Sequence, residues 1–146
     1  MPAGELNVKI MKFKSKKYSI PSENNFIDCI KMSFAELTFS KKYKIVTEKN
    51  DENSCKIEYL NSIIGRRIEF INQNHPCDYG FSIFIYNTYN NIKDDSICFC
   101  NIPFENQNKD NDCNFINKLS KMFFKEMDSI ISGVEWKNNL KTIHQF

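Results

Sequence analysis

The sequence predicts a mainly β domain closed by one C-terminal helix, on three observations. Short runs rich in Ile, Phe and Tyr recur through the first hundred residues, the residue types that suit a pleated sheet. Polar breaks rich in Asn, Ser and Asp separate them. After Pro103 the apolar period changes from two to about 3.6.

The first strand is expected over Glu5–Lys16, where Leu6, Val8 and Ile10 alternate before the phase slips at Met11 and Phe13, as at a bulge. Residues 19–25 read as a turn. Strand runs then follow at Phe26–Phe34, Glu36–Val46, Cys55–Leu60, Arg67–Asn72, Gly80–Asn87 and Ser96–Ile102. Phe115, Ile116, Leu119, Phe123, Met127, Ile130 and Ile131 recur at helical spacing. They define a capping helix over 112–132, with Asp112 or a neighbour as N-cap and Gly133 as its end. With no linker or repeat, the expected organisation is one domain over 1–146: strands in 5–102, the helix, and a tail over 133–146.

Charge is unevenly spread. The chain carries a net +2, yet residues 1–50 hold ten lysines against five acids, which predicts one electropositive surface. The six cysteines stand at strand-like positions in a chain that opens MPAGELNVKI, without an apolar signal core. They are expected to be reduced, buried thiols of a cytoplasmic protein, with Cys98 and Cys100 on one strand face. Neither CxxC spacing nor a nearby histidine suggests a metal site, and no cofactor motif appears. The scattered acids, the two separated histidines and the missing nucleophile motif argue against an enzyme. A pI near 8.2 without paired exposed aromatics argues against nucleic acid.

Strand order and spacing resemble a pleckstrin-homology (PH) domain, a seven-stranded antiparallel barrel or sandwich capped by a helix. The resemblance is carried by Cys29–Phe34 followed by Glu36–Lys41, by residues 56–65 (KIEYLNSIIG), by Phe81-Ser82-Ile83, and by Cys98–Ile102 running into Asn114–Met122. The family's usual helix Trp is replaced here by Phe123 or Phe124. Within the family the chain is similar to two apicomplexan groups: acylated PH-domain sensors of phosphatidic acid on secretory organelles such as micronemes, and inner-membrane-complex sub-compartment scaffolds. Both carry N-terminal acylation. This sequence lacks a Met-Gly start, so either such a signal lies outside it or the resemblance stops at the fold.

The resemblance implies a peripheral module on an organelle membrane that reads an anionic headgroup in regulated secretion. Its loops at one end of the barrel would bring together Lys12, Lys14, Lys16, Lys17, Lys31, Lys42, Lys44, Lys49 and Lys93. Tyr18 and Ile20 would dip into the membrane interface. The second strand has one cation and no arginine, which favours phosphatidic acid over phosphoinositides. Arg66 and Arg67 would lie at the opposite end as surface or partner residues, so Arg66→Glu is expected to matter little. Trp136, Leu140, Ile143 and Phe146 would pack back on the domain or reach a protein partner. The alternative reading is a protein-interaction scaffold without specific lipid binding.

Overall fold

The computed structural model describes residues 17–51, 53–73, 80–89, 95–136 and 142–146. The expected first strand, with Lys12, Lys14 and Lys16, lies outside these residues, as do Cys77, Lys93 and Leu140.

The chain enters through a two-residue strand β1 (Tyr18–Ser19) and then forms two helices, α1 (Glu23–Ser33) and α2 (Glu36–Phe39). Five strands follow as a meander: β2 (Lys44–Asp51), β3 (Ser54–Asn61), β4 (Arg66–Gln73), β5 (Phe81–Asn87) and β6 (Ser96–Ile102). A 3-10 turn (Phe104–Asn106) and β7 (Gln107–Asn108) lead into the long helix α3 (Asn114–Ile131), and β8 (Thr142–Gln145) ends the chain. The six-stranded sheet runs β2-β3-β4-β5-β6-β8, antiparallel except that β8 lies parallel to β6. The pair β1 and β7 is separate and parallel.

The architecture is therefore mainly β with a C-terminal helix, but the sheet is open and does not close into a barrel. Where a strand was expected over Phe26–Phe34, the chain is helical through Ser33, with Phe34 at the C-cap. The sequence carries the reason: Phe26, Ile30 and Phe34 repeat at four-residue spacing, and Ile27 and Cys29 widen the same stripe. All five are buried in the core. Pro21-Ser22 precede the helix, with extended Ser22 at the N-cap. The run Glu36–Val46 is likewise divided between α2 and the start of β2, with Leu37 and Tyr43 buried.

The middle strands follow the alternation closely. Along β4 the even-numbered residues Arg66 to Asn72 are buried and the odd ones half-buried. The buried rows make one core face, against which both long helices pack. Phe34 of α1 lies 4.6 Å from Phe70 and 5.4 Å from Phe123 of α3 by ring centroids, and Phe123 lies 5.2 Å from Phe99. Such rings stabilise by about 1.5–3 kcal/mol each through burial, with an increment from edge-to-face contact.

A register shift on β6 corrects the cysteine expectation. Cys100 stands opposite Ile83 and Cys98 opposite Phe84, so Phe99 is the extra residue of a bulge. Cys100 therefore joins the core face and Cys98 the outer one. The expectation of six reduced thiols is also overturned, because Cys29 of α1 is disulfide-bonded to Cys113 across 84 residues.

At the far end of α3, Gly133 takes a left-handed conformation (φ 80°) against the Ile64 side chain, and the Val134 N–H donates to Ser129 O at 2.9 Å. Beyond it the tail packs back: Trp136 and Phe146 lie against the core, while Ile143 stays partly exposed.

Candidate functional site

Two residues of the expected basic mouth come together. Lys42, in the left-handed region at φ 63°, and Lys44, the first residue of β2, line a cleft of about 160 Å³ with Val46, Leu60, Asn61, Ser62 and Ile63. The cleft lies between the start of β2 and the turn joining β3 to β4. Asn61 builds that turn: its side-chain amide donates to Lys41 O (3.1 Å), and its Oδ1 accepts from the Ile64 N–H (3.0 Å). Gly65 completes it at φ 80°, where an added Cβ would run into the Tyr89 ring. So held, the turn projects Ile63, which is 86% exposed.

Val46 stands beside it at 51% exposure, placed outward because β2 bulges between Ile45 and Thr47. Exposed Tyr89 and Val134 flank the turn on its other side, next to Gly65 and Gly133. Exposed Ile63 and Val46 thus share one cleft with two lysines, and Tyr89 lies against Gly65 of the same turn.

The other expected contacts are placed elsewhere. Lys31 leaves α1 to pair with Glu48 at 2.8 Å. Lys49 pairs with Asp51 at 3.3 Å and lies five residues along β2 from Lys44, about 16 Å away at strand rise. Lys17 is exposed beside β1. Ile20 is fully buried and its N–H donates to Asn108 O at 3.0 Å, so it is a core residue, not a membrane anchor. Tyr18 is half-buried and packs on Phe115 and Phe146, with centroids 4.9 and 5.1 Å away.

Arg66 is not a surface residue. Its guanidinium donates to Ile130 O (2.8 Å), Gly65 O (3.1 Å), Asn87 Oδ1 (3.3 Å) and Glu135 O (3.1 Å), and it stacks on the Trp136 ring at 4.8 Å. It therefore ties the C-terminal turn of α3 to the sheet by donating to carbonyl groups at and beyond the helix end.

Arg67 faces the other way. On the outer face it pairs with Glu58 and lies over the Tyr86 ring at 4.1 Å. Glu58 stands directly opposite Glu69 across β3 and β4, with Lys56 3.8 and 4.0 Å from the two carboxylates. Burial alone would raise Glu58, but hydrogen bonds from Arg67 and Thr47, aided by the charges of Arg67 and Lys56, hold it below the usual carboxylate range. Glu69 is raised, first by burial and then by the charge of Glu58. Tyr86, pushed up to about 12 mainly by burial, donates to Glu69 at 3.4 Å. Positive and negative groups balance within this cluster, so it holds the face together more than it attracts an ion.

Among the described residues no three His, Cys, Asp or Glu side chains lie together as metal ligands. Nor is any described helix long and apolar enough to cross a membrane. No family model, curated protein or solved structure matches the chain.

Val46, Leu60, Ser62 and Ile63 were not singled out from sequence. A signal was present: Ile63-Ile64 is an apolar pair inside an otherwise polar break. Only one of the pair is needed to pack, and Ile64 is the one against Gly133.

Proposed function

We propose that the chain is a peripheral module that docks on anionic phospholipid membranes through the turn joining β3 to β4. One observation carries the reading: exposed Ile63 and Val46 stand beside Lys42 and Lys44 at the rim of one cleft. An interfacial anchor combines these elements, since apolar side chains enter the headgroup region while ammonium groups stay with the phosphates. Phosphatidic acid is favoured over phosphoinositides. The cations lining the cleft are lysines, which meet a phosphomonoester as point charges, whereas Arg66 is buried and Arg67 is engaged by Glu58. Each lysine near the surface contributes about 1 kcal/mol, so binding through this patch alone is weak and falls with salt.

The test is co-sedimentation with neutral vesicles and with vesicles carrying phosphatidic acid, phosphatidylserine or phosphoinositides, at physiological salt. Phosphatidic acid vesicles are expected to retain most protein, with loss on Lys42→Glu plus Lys44→Glu and on Ile63→Ser. Variants that pellet like the parent refute this docking surface.

A second reading, a protein-interaction scaffold, draws support from β2. Among the described residues it forms an edge of the sheet, and seven of its eight residues are exposed. Failure to pellet with every anionic vesicle would favour that reading.

A further inference from the structure

The Cys29–Cys113 bridge is built asymmetrically. Cys29 lies on the inner stripe of α1 and is 3% exposed. Cys113 is half-buried and lines a cleft of about 260 Å³ with Met32, Ser33, Asn114 and Asn117. It also occupies the N-cap position of the 18-residue α3, where the Asn114 N–H donates to Asp112 Oδ1 at 2.8 Å. One sulfur is thus reachable and the other is enclosed.

The remaining described thiols do not compete. Cys55, Cys98 and Cys100 are buried, and burial is the leading cause that pushes each of them above the ordinary thiol range. Redox chemistry among the described residues therefore concentrates on this one bridge.

Around the bridge α1 is attached by both polar and apolar contacts. The start of α1 meets the loop before α3 through Asn25 Nδ2 donating to Asn111 Oδ1 at 2.9 Å, an exposed contact. The far end of α1 is held differently, by Phe34 packed between Phe70 and Phe123. Near the start of α1 Phe26 also packs on Phe81, with centroids 5.6 Å apart, so opening the bridge would remove the covalent tie between α1 and α3 and leave the helix seated by its rings.

We infer that Cys29–Cys113 is a thiol-exchange site, opened from the Cys113 side by a dithiol reductant. A thiolate of the reductant attacks Cys113 Sγ, forming an intermolecular S–S bond and breaking the bond to Cys29. The departing electron pair rests on Cys29 Sγ, which takes a proton. The second thiol of the reductant, as thiolate, then attacks its own sulfur partner and releases Cys113 as a thiolate at the start of α3. The protein gains two electrons and one proton, with a second proton once the Cys113 thiolate is protonated, and the dithiol leaves as a disulfide.

Dithiothreitol and glutathione are the probes. In native buffer the reduction rate is expected to rise in proportion to dithiothreitol. A rate that levels off would show that reduction waits for global opening, and would overturn the inference. Glutathione adducts trapped by acid quench should map to Cys113 by peptide mass analysis, and adducts on Cys29 would refute the assignment. With a chromogenic disulfide, the Cys113 thiol in Cys29→Ser should react about tenfold or more faster than the Cys29 thiol in Cys113→Ser. Equal rates refute the asymmetry. Should either variant fail to fold, the measurements on the parent chain still decide.

Discussion

Arg66→Met separates the buried guanidinium from its apolar stem. Methionine keeps an unbranched chain over the Trp136 ring but cannot donate hydrogen bonds. The carbonyl oxygens of Ile130 and Gly65 each lose a charge-assisted hydrogen bond, at about 1.5–2 kcal/mol each, and keep a backbone donor in the N–H of Gly133 and Thr88. Glu135 O and Asn87 Oδ1 are in part-buried contacts and can recruit water. Loss of the cation over Trp136 removes about 1 kcal/mol more. Against this, a charge no longer has to leave water, which returns about 1–2 kcal/mol. The net loss is about 3 kcal/mol, a large fraction of the roughly 5–15 kcal/mol typical of a domain.

The chain contains one tryptophan and it is the ring that Arg66 covers, so its fluorescence reports urea unfolding from the affected place. With a denaturant slope of about 1.5–2 kcal/mol/M, the midpoint should fall by about 1.5–2 M at unchanged slope. Arg66→Lys should fall between, because one ammonium cannot replace the fork. Arg66→Glu should prevent folding, since it points a carboxylate at carbonyl oxygens. A midpoint shift below about 0.5 M for Arg66→Met would refute the view that this side chain fastens α3 to the sheet.

For the disulfide, chain entropy over the 84-residue separation sets about 4.6 kcal/mol as its contribution, and measured bridges more often give about 2–4. Urea melts with and without dithiothreitol should differ by that amount, and coincident melts would contradict it. Gly65→Ala should lower stability by at least about 1–2 kcal/mol from its left-handed backbone, with a further loss from contact with Tyr89. Thermal melts of the variant check this. Glu69 is a carboxyl raised on folding, so its contribution is full below the unfolded value near 4.3 and is lost as pH rises through the folded value. Glu69→Gln should therefore raise stability at neutral pH relative to the parent. Glu58, lowered on folding, behaves oppositely: its contribution is present above the unfolded value and lost as pH falls through the folded value. Glu58→Gln should destabilise at neutral pH, and urea midpoints from pH 4 to 8 distinguish the two.

What could be read from sequence was what local patterning determines. Strands β3 to β6 and helix α3 fall close to their expected bounds because one face of each is buried along its whole length. Helix α1 was misread because Phe26, Ile27, Cys29 and Ile30 crowd into five positions, where alternation and helical period cannot be told apart. The four-residue steps on to Phe34 and the preceding Pro-Ser would have favoured a helix. Arg66 looked like surface because its partners are remote: Ile130 lies 64 residues away and Glu135 lies 69. The cysteine pairing depends on the same long-range geometry. At the candidate site the lysines were legible by charge. The apolar half was not, because exposure of Ile63 follows from how Asn61 and Gly65 hold the turn.

Among the described residues no strand lies beyond β2, which bears on how the protein behaves at high concentration. An open edge invites the same edge of a second copy to pair with it, antiparallel about a two-fold axis. Beyond the bulge, side chains of residues 47, 49 and 51 share one face and those of 48 and 50 the other. Registers that match faces and keep three or more pairs therefore centre on 48, 49 or 50. The first sets Glu48 against Glu48 and the second Lys49 against Lys49, each a like-charge contact on the axis. The third is free of that clash but overlaps only residues 49 to 51, too short a ladder to hold two molecules together. Among the described residues the edge can thus stay open to a different strand while refusing its own.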